Sequence, residues 1–280
     1  MPEQTLTWLD GEPAQALPLP DRGLAFGDGL FETLLLRRGV PLFADRHLHR
    51  LKLGLDALNF PPVLETARRH LEEASQAIAA SGWLWAALRV TVTRGSGPRG
   101  YAPPPDAQPR VLVEVTEISR DCALMAPAVT LGVADIGLPA QPALAGLKHL
   151  NRLEQVLAAE QAQREGFEEM LLLDAMSGAA TCVTAGNLFA VIDGQLVTPK
   201  LADCGVAGTR RRLVLDRWAP ALGFTVPEVR LPPGQLEHAS EVFYTNALYG
   251  LRPVASLGVV RWAEHPVCTA LFEQYLEDLA

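Results

Sequence analysis

Apolar residues recur along this chain with strand-like and helix-like periods in turn, but never in a regular strand–helix–strand rhythm. A doubly wound parallel sheet needs that rhythm, so the expected class is α+β. Residues 6–12 read as a strand entering an Asp10-Gly11 turn, 21–29 as a glycine-rich loop, and 30–36 as a strand before an Arg38-Gly39 turn. Leu48, Leu51, Leu55 and Leu58 share one face of a helix expected over 44–59, and a second helix is expected over 67–80. Strands follow at 85–93 and 110–115, separated by the loop 94–101 and a proline-rich stretch to 109. Further on, strands are expected at 129–134, 170–173, 187–192, 196–198 and 241–245, with an Asp193-Gly194 hairpin signal between the third and fourth. Helices are expected at 151–165, 209–222 and 271–279. A connector at 117–127 divides a small N-terminal α+β domain, 1–116, from a larger C-terminal domain, 128–280.

Charge and composition exclude several functions. The net charge of −8 argues against a general nucleic-acid or membrane-surface binder, since both need basic faces. No apolar run approaches the roughly 20 residues that span a bilayer. Met1-Pro2-Glu3-Gln4 opens without the basic-then-apolar pattern of a signal peptide. A cytoplasmic protein with no nucleic-acid or membrane partner is expected. Cys122, Cys182, Cys204 and Cys268 are widely spaced, so reduced thiols are expected and no metal site.

One composition detail narrows the chemistry. The chain has three lysines, Lys52, Lys148 and Lys200, against 21 arginines. An amine nucleophile must be lysine, because arginine stays protonated. Lys52 lies on the helix at 44–59 and reads as a solvated helix residue, and Lys200 follows a hairpin and reads as an exposed turn residue. Lys148 falls between the proline-punctuated stretch Pro139-Ala140-Gln141-Pro142 and the start of a helix. Local context alone reads it as a charged loop residue. A Schiff-base lysine needs partial burial, which spacing does not reveal.

Four segments carry a resemblance over nearly the whole chain: Asp21 to Thr33 (DRGLAFGDGLFET), Arg94 to Tyr101 (RGSGPRGY), Gly146 to Val156 (GLKHLNRLEQV) and Gly186 to Phe189 (GNLF). By them the chain resembles the fold-type-IV pyridoxal-phosphate enzymes, which include branched-chain and D-amino-acid aminotransferases and aminodeoxychorismate lyases. It is most similar to the lyases, through the second and third segments. The resemblance implies a two-domain, D-amino-acid aminotransferase-like fold with the active site between the domains and the Schiff-base lysine on the larger one. It implies pyridoxal 5'-phosphate as cofactor, aminodeoxychorismate as substrate, 4-aminobenzoate and pyruvate as products in folate biosynthesis, and a homodimer. Lys148 matches the Schiff-base lysine, which also moves the proton at the amine-bearing carbon. Arg50, which without the motif reads as a surface helix arginine, matches the arginine of the cofactor phosphate. Gly208-Thr209-Arg210 matches the turn whose backbone amides cradle that phosphate at a helix start. Asn246 matches a residue near the phosphate and ring, while Asn151 and Arg152 follow the lysine where the family orients the ring hydroxyl.

The substrate carries two carboxylates, so the pocket needs cations. Arg94 and Arg99 are candidates, because guanidinium binds carboxylate through two parallel hydrogen bonds, and Tyr101 could shape the same pocket. The alternative, solvated arginines in a flexible hairpin loop, stands beside it. One position departs from the family. The glutamate that faces the pyridine nitrogen, five residues before the Asn of the N-L-F segment, is Cys182 here. A thiol is a poor partner for a pyridinium, so the ring should be a weaker electron sink. That disfavours an aminotransferase, which depends on ring protonation, more than a lyase whose product is aromatic. It also keeps open a catalytically weak or silent homologue.

Overall fold

The computed structural model describes residues 4–279 and clusters into two units: one of Met1–Asp121 with Leu147–Asn151, the other of Cys122–Gly146 with Arg152–Ala280. Residues 1–3, three of the four on which the signal-peptide expectation rests, lie outside the described residues.

In the first unit the elements are β1 (Thr5–Leu9), β2 (Glu12–Pro13), α1 (Arg22–Phe26), β3 (Gly29–Arg37), β4 (Val40–Pro41), α2 (Ala44–Ala57), α3 (Leu64–Ser81), β5 (Trp85–Thr93) and β6 (Arg110–Glu117). The strands form one antiparallel sheet in the order β2-β1-β6-β5-β3-β4. Alternation sorts its faces. Leu30, Leu34 and Leu36 of β3 and Leu88, Val90 and Val92 of β5 enter one core with Leu48, Leu51 and Leu55 of α2 and Leu71, Ala74 and Ile78 of α3. Each of these leucines contributes about 2 kcal/mol by leaving water. The even-numbered positions of β3 therefore face the helices, and Phe31, Thr33 and Leu35 point to the other side.

The glycine-rich stretch at 21–29 is not all loop. Asp21 caps α1 by accepting from the backbone N–H groups of Gly23 and Leu24, and Gly27, at φ 64°, ends the helix in the left-handed conformation.

The second unit contains β7 (Val129–Val133), α4 (Leu153–Glu165), β8 (Glu169–Leu173), β9 (Ala180–Val183), β10 (Asn187–Ile192), β11 (Gln195–Pro199), α5 (Thr209–Leu213), α6 (Ala219–Ala221), β12 (Glu228–Val229), β13 (Glu241–Asn246), β14 (Gly250–Leu257), β15 (Val260–Arg261) and α7 (Pro266–Glu277). A π-helical turn, Val214–Trp218, joins α5 to α6. The nine-stranded sheet runs β12-β11-β10-β13-β14-β7-β8-β9, with β15 on β14. It is mixed: β11/β12, β14/β7 and β7/β8 are parallel, and the other pairs antiparallel.

The lysine segment was expected on the C-terminal domain. Instead Leu147–Asn151 groups with the first unit. The reason is backbone pairing: Phe31 N–H donates to Lys148 O at 2.9 Å and Leu150 N–H to Gly29 O at 3.0 Å, which adds a short antiparallel bridge to β3. No helix among the described residues is long and apolar enough to cross a membrane.

Candidate active site

Two of the sequence segments meet at β3. Lys148 is half-buried, and its Nζ lies 4.2 Å from the centroid of the Phe31 ring. The guanidinium carbon of Arg89, on β5, lies 4.2 Å from the same centroid, so the two cations are at most twice that distance apart. Arg89 is exposed; its Nε donates to Thr91 Oγ1 at 3.3 Å, and it makes no ion pair among the described residues. An amine and an uncommitted guanidinium on one aromatic ring suit a nucleophile beside a carboxylate. Arg89 went unnoticed in the sequence. The signal was there: alternation in β5 puts it on the face opposite Leu88 and Val90, the face that Phe31 shares.

Asn151 closes the same segment onto α1. Its Nδ2 donates to Gly27 O at 3.2 Å, and a Cβ on Gly27 would stand 2.4 Å from Asn151 Oδ1. The side chain expected near the ring hydroxyl is thus turned to the backbone of the glycine-rich motif. Arg152 stands at the N-cap of α4, and its charge is felt at Cys182.

Arg50 projects from α2 toward β3 rather than to solvent. Its Nε and Nη2 donate to Glu32 at 2.7 and 2.6 Å, and Glu32 Oε2 also meets His47 Nδ1 at 2.6 Å. Burial works against the Glu32 carboxylate, but the charge and hydrogen bonds of Arg50, with His47 added, hold its pKa down at about 2.

Arg94 requires a correction. It is 5% exposed, and its donors are spent inside the protein. Nε donates to both oxygens of Asp28 at 3.0 and 2.9 Å, Nη1 to Asn59 O at 3.1 Å, and Nη2 to Leu58 O at 2.8 Å, while the group stacks on Phe60 at 4.1 Å. A guanidinium so engaged braces the end of α2 and is not available to a substrate carboxylate. Arg22 does similar work, taking Asp28 through Nε and the carbonyls of Gly100, Tyr101 and Ala102 through its terminal nitrogens. Arg99 and Tyr101 are exposed; the Tyr101 ring lies 5.5 Å from Phe26.

In the second unit, Gly208 precedes α5 with extended backbone and no side-chain cap. A Cβ there would stand 1.9 Å from Asn187 Oδ1, and Asn187 Nδ2 donates to Val206 O at 2.9 Å. The Asn of the N-L-F segment therefore braces the turn at Gly208-Thr209-Arg210. Thr209 and Arg210 are buried, and Arg210 Nη2 donates to Ala247 O at 3.3 Å. Asn246 Oδ1 accepts from the N–H groups of Leu248 and Tyr249 at 3.0 and 2.8 Å, so it shapes the β13–β14 turn. Thr245, opposite Asn187 across the β10–β13 pair, has a buried hydroxyl with no hydrogen-bond partner among the described residues. A cradle that only glycine fits and an orphaned buried hydroxyl are what a phosphate group would complete.

Cys182 lies on β9 in an apolar cluster with Ala158, Ala162, Met170, Leu172 and Cys204. Burial pushes its thiol up to about 12, with Cys204 adding to the shift and Arg152 opposing it. At neutral pH it is an uncharged thiol. Among the described residues no group of three or more His, Cys, Asp or Glu could hold a metal ion.

The lysine segment bridged to β3 in the first unit and the glycine cradle before α5 in the second each belong to a recognisable class. The class IV amino-transferase family matches residues 29–257, and the chain belongs to that family, with its fold-type-IV architecture. Among individual relatives, the aminodeoxychorismate lyase of Vibrio harveyi is 32% identical over 254 residues, 89% of this chain and 90% of that one. The crystal structure of 4-amino-4-deoxychorismate lyase from Pseudomonas aeruginosa matches with a TM-score of 0.86 at 40% identity, covering 98% of this chain and 99% of that one. The D-alanine aminotransferase of Bacillus licheniformis is more distant, 26% identical over 248 residues, 86% of this chain and 83% of that one.

Proposed function

We propose that this chain is a pyridoxal-phosphate-dependent lyase that converts 4-amino-4-deoxychorismate into 4-aminobenzoate and pyruvate, a step of folate biosynthesis. The observation that carries the reading is the Lys148 amine and the Arg89 guanidinium sharing the Phe31 ring. Similarity to two lyases over nearly the whole chain supports it.

Bound pyridoxal phosphate supplies an aldehyde that condenses with amines and a ring that draws electrons from the neighbouring carbon. Lys148 is its covalent anchor, and Lys148 Nζ is the base that takes the proton from the amine-bearing carbon of the substrate. Loss of that proton and cleavage of the C–O bond to enolpyruvate leave an aromatic ring. Enolpyruvate takes a proton and becomes pyruvate. Arg89 binds a substrate carboxylate, with Arg99 and Tyr101 as further substrate contacts. Within the second unit, the amides of the Gly208-Thr209-Arg210 turn and the Thr245 hydroxyl would hold the cofactor phosphate, with Asn246 shaping the adjoining turn, and Arg50 of the first unit is assigned to the same phosphate by its match to the family. Cys182 occupies the position of the family's ring-nitrogen acid. A neutral thiol does not keep that nitrogen protonated, so the chemistry leans on the aromatic product rather than on the ring. That reasoning favours the lyase over an aminotransferase.

The protein is further proposed to be a cytoplasmic homodimer. Supporting this, α4 leaves Leu153, Val156 and Leu157 exposed in the second unit. The function is tested on pure protein supplied with aminodeoxychorismate and no keto acid. Pyruvate release, lost together with the yellow cofactor band in Lys148→Ala, supports it. A wild-type protein that pyridoxal phosphate cannot colour rules it out.

A further inference from the structure

The first unit holds a buried charge cluster of which the chemistry above uses only Arg50. β3 reads Leu30-Phe31-Glu32-Thr33-Leu34-Leu35-Leu36, and Glu32 stands on its helix-facing side among Leu30, Leu34 and Leu36. It is 2% exposed, and His47 beside it is fully buried. A leucine would pack at this position without the cost of removing a carboxylate from water. The sheet nevertheless carries a charge there. Its two oxygens grip Arg50 through Nε and Nη2, a bidentate fork that fixes the plane of the guanidinium, and His47 Nδ1 fixes the carboxylate in turn.

We propose that Glu32 is a positioning residue for phosphate recognition: braced by His47, it holds the Arg50 guanidinium in one orientation for the cofactor phosphate and touches neither cofactor nor substrate itself. The inference rests on Arg50 being a phosphate ligand, as proposed above. It makes a prediction whose sign is informative. Were net charge all that mattered, removing the negative Glu32 would strengthen binding of an anion. Under the positioning role, Glu32→Gln weakens it.

The experiment measures dissociation constants for pyridoxal phosphate and for pyridoxal, which lacks the phosphate, on the whole chain. In the wild type the phosphate form should bind more tightly. Glu32→Gln should weaken pyridoxal phosphate on the order of tenfold, the value of a charged hydrogen bond, and leave pyridoxal within about twofold. In an Arg50→Gln background the same substitution should change the ratio by less than about twofold, because Glu32 acts through Arg50. If Glu32→Gln fails to fold, Glu32→Asp, which keeps the charge but not the reach of the fork, carries the same test. Tighter or unchanged binding of pyridoxal phosphate, equal losses for both ligands, or an undiminished effect without Arg50 would overturn the proposal. An Arg50→Gln variant whose ratio equals that of wild type would instead remove Arg50 from the phosphate site, and this inference with it.

Discussion

At Glu32 one side chain ties stability to the proposed cofactor site. Its pKa falls from 4.5 to about 2, so its contribution is present in full above pH 4.5 and lost as the pH falls toward 2. The shift corresponds to about 3 kcal/mol. Urea unfolding of Glu32→Gln should therefore show a deficit of that order at pH 7 that narrows steadily between pH 4.5 and the acid limit. A deficit that does not vary with pH would deny the carboxylate its role. The arginines separate in the same way. Arg94→Gln should lower stability by about 2–3 kcal/mol, because Asp28, Leu58 O and Asn59 O lose a charged donor while Arg22 still pairs with Asp28. Arg89→Gln should leave the melting temperature near that of wild type and lower kcat/KM about 10- to 100-fold. If the two variants exchange these phenotypes, the carboxylate site has been assigned to the wrong arginine.

Among the elements, the turn before α5 is the most demanding. Gly208→Ala places a methyl 1.9 Å from Asn187 Oδ1, so either the Asn187 side chain gives up its brace on Val206 O or the turn moves. Cofactor affinity should fall at least tenfold, on the order of one lost charged hydrogen bond, as read by titration of the aldehyde absorbance. Retained affinity would remove the turn from the phosphate site. Long periodic elements were legible beforehand: the stripe Leu48, Leu51 and Leu55 gave α2, and alternation gave β5 with its bounds at Trp85 and Thr93. Elements that break local rules were not. β14 contains Pro253, which cannot donate to a ladder and reads as a break, although it pairs with Phe243. α1 was hidden because five residues show no period, and only the Asp21 cap marks it. The motifs singled out Lys148 and Arg50 as candidates. They could not show that Arg94 is buried, since its partners Leu58 and Asn59 lie some 35 residues earlier and only folding brings them together.

For the molecule as a whole, the chain crosses from one unit to the other and back. Leu147–Asn151 leaves the second unit to pair with β3 of the first, and α4 resumes the second. The lysine thus rides on a sheet edge rather than on a free loop, with its backbone fixed at Phe31. The exposed face of α4 bears on the proposed homodimer. Leu153→Glu with Val156→Glu should shift sedimentation from dimer to monomer, and an unchanged dimer would move the interface elsewhere. The central claim, that the chain is a lyase and not a transaminase, is tested most directly by product stoichiometry. Pure protein loaded with pyridoxal phosphate and given aminodeoxychorismate, without any keto acid, should release pyruvate and 4-aminobenzoate one to one over many turnovers. Turnover that stops after one equivalent and resumes only when a keto acid is added would contradict the account.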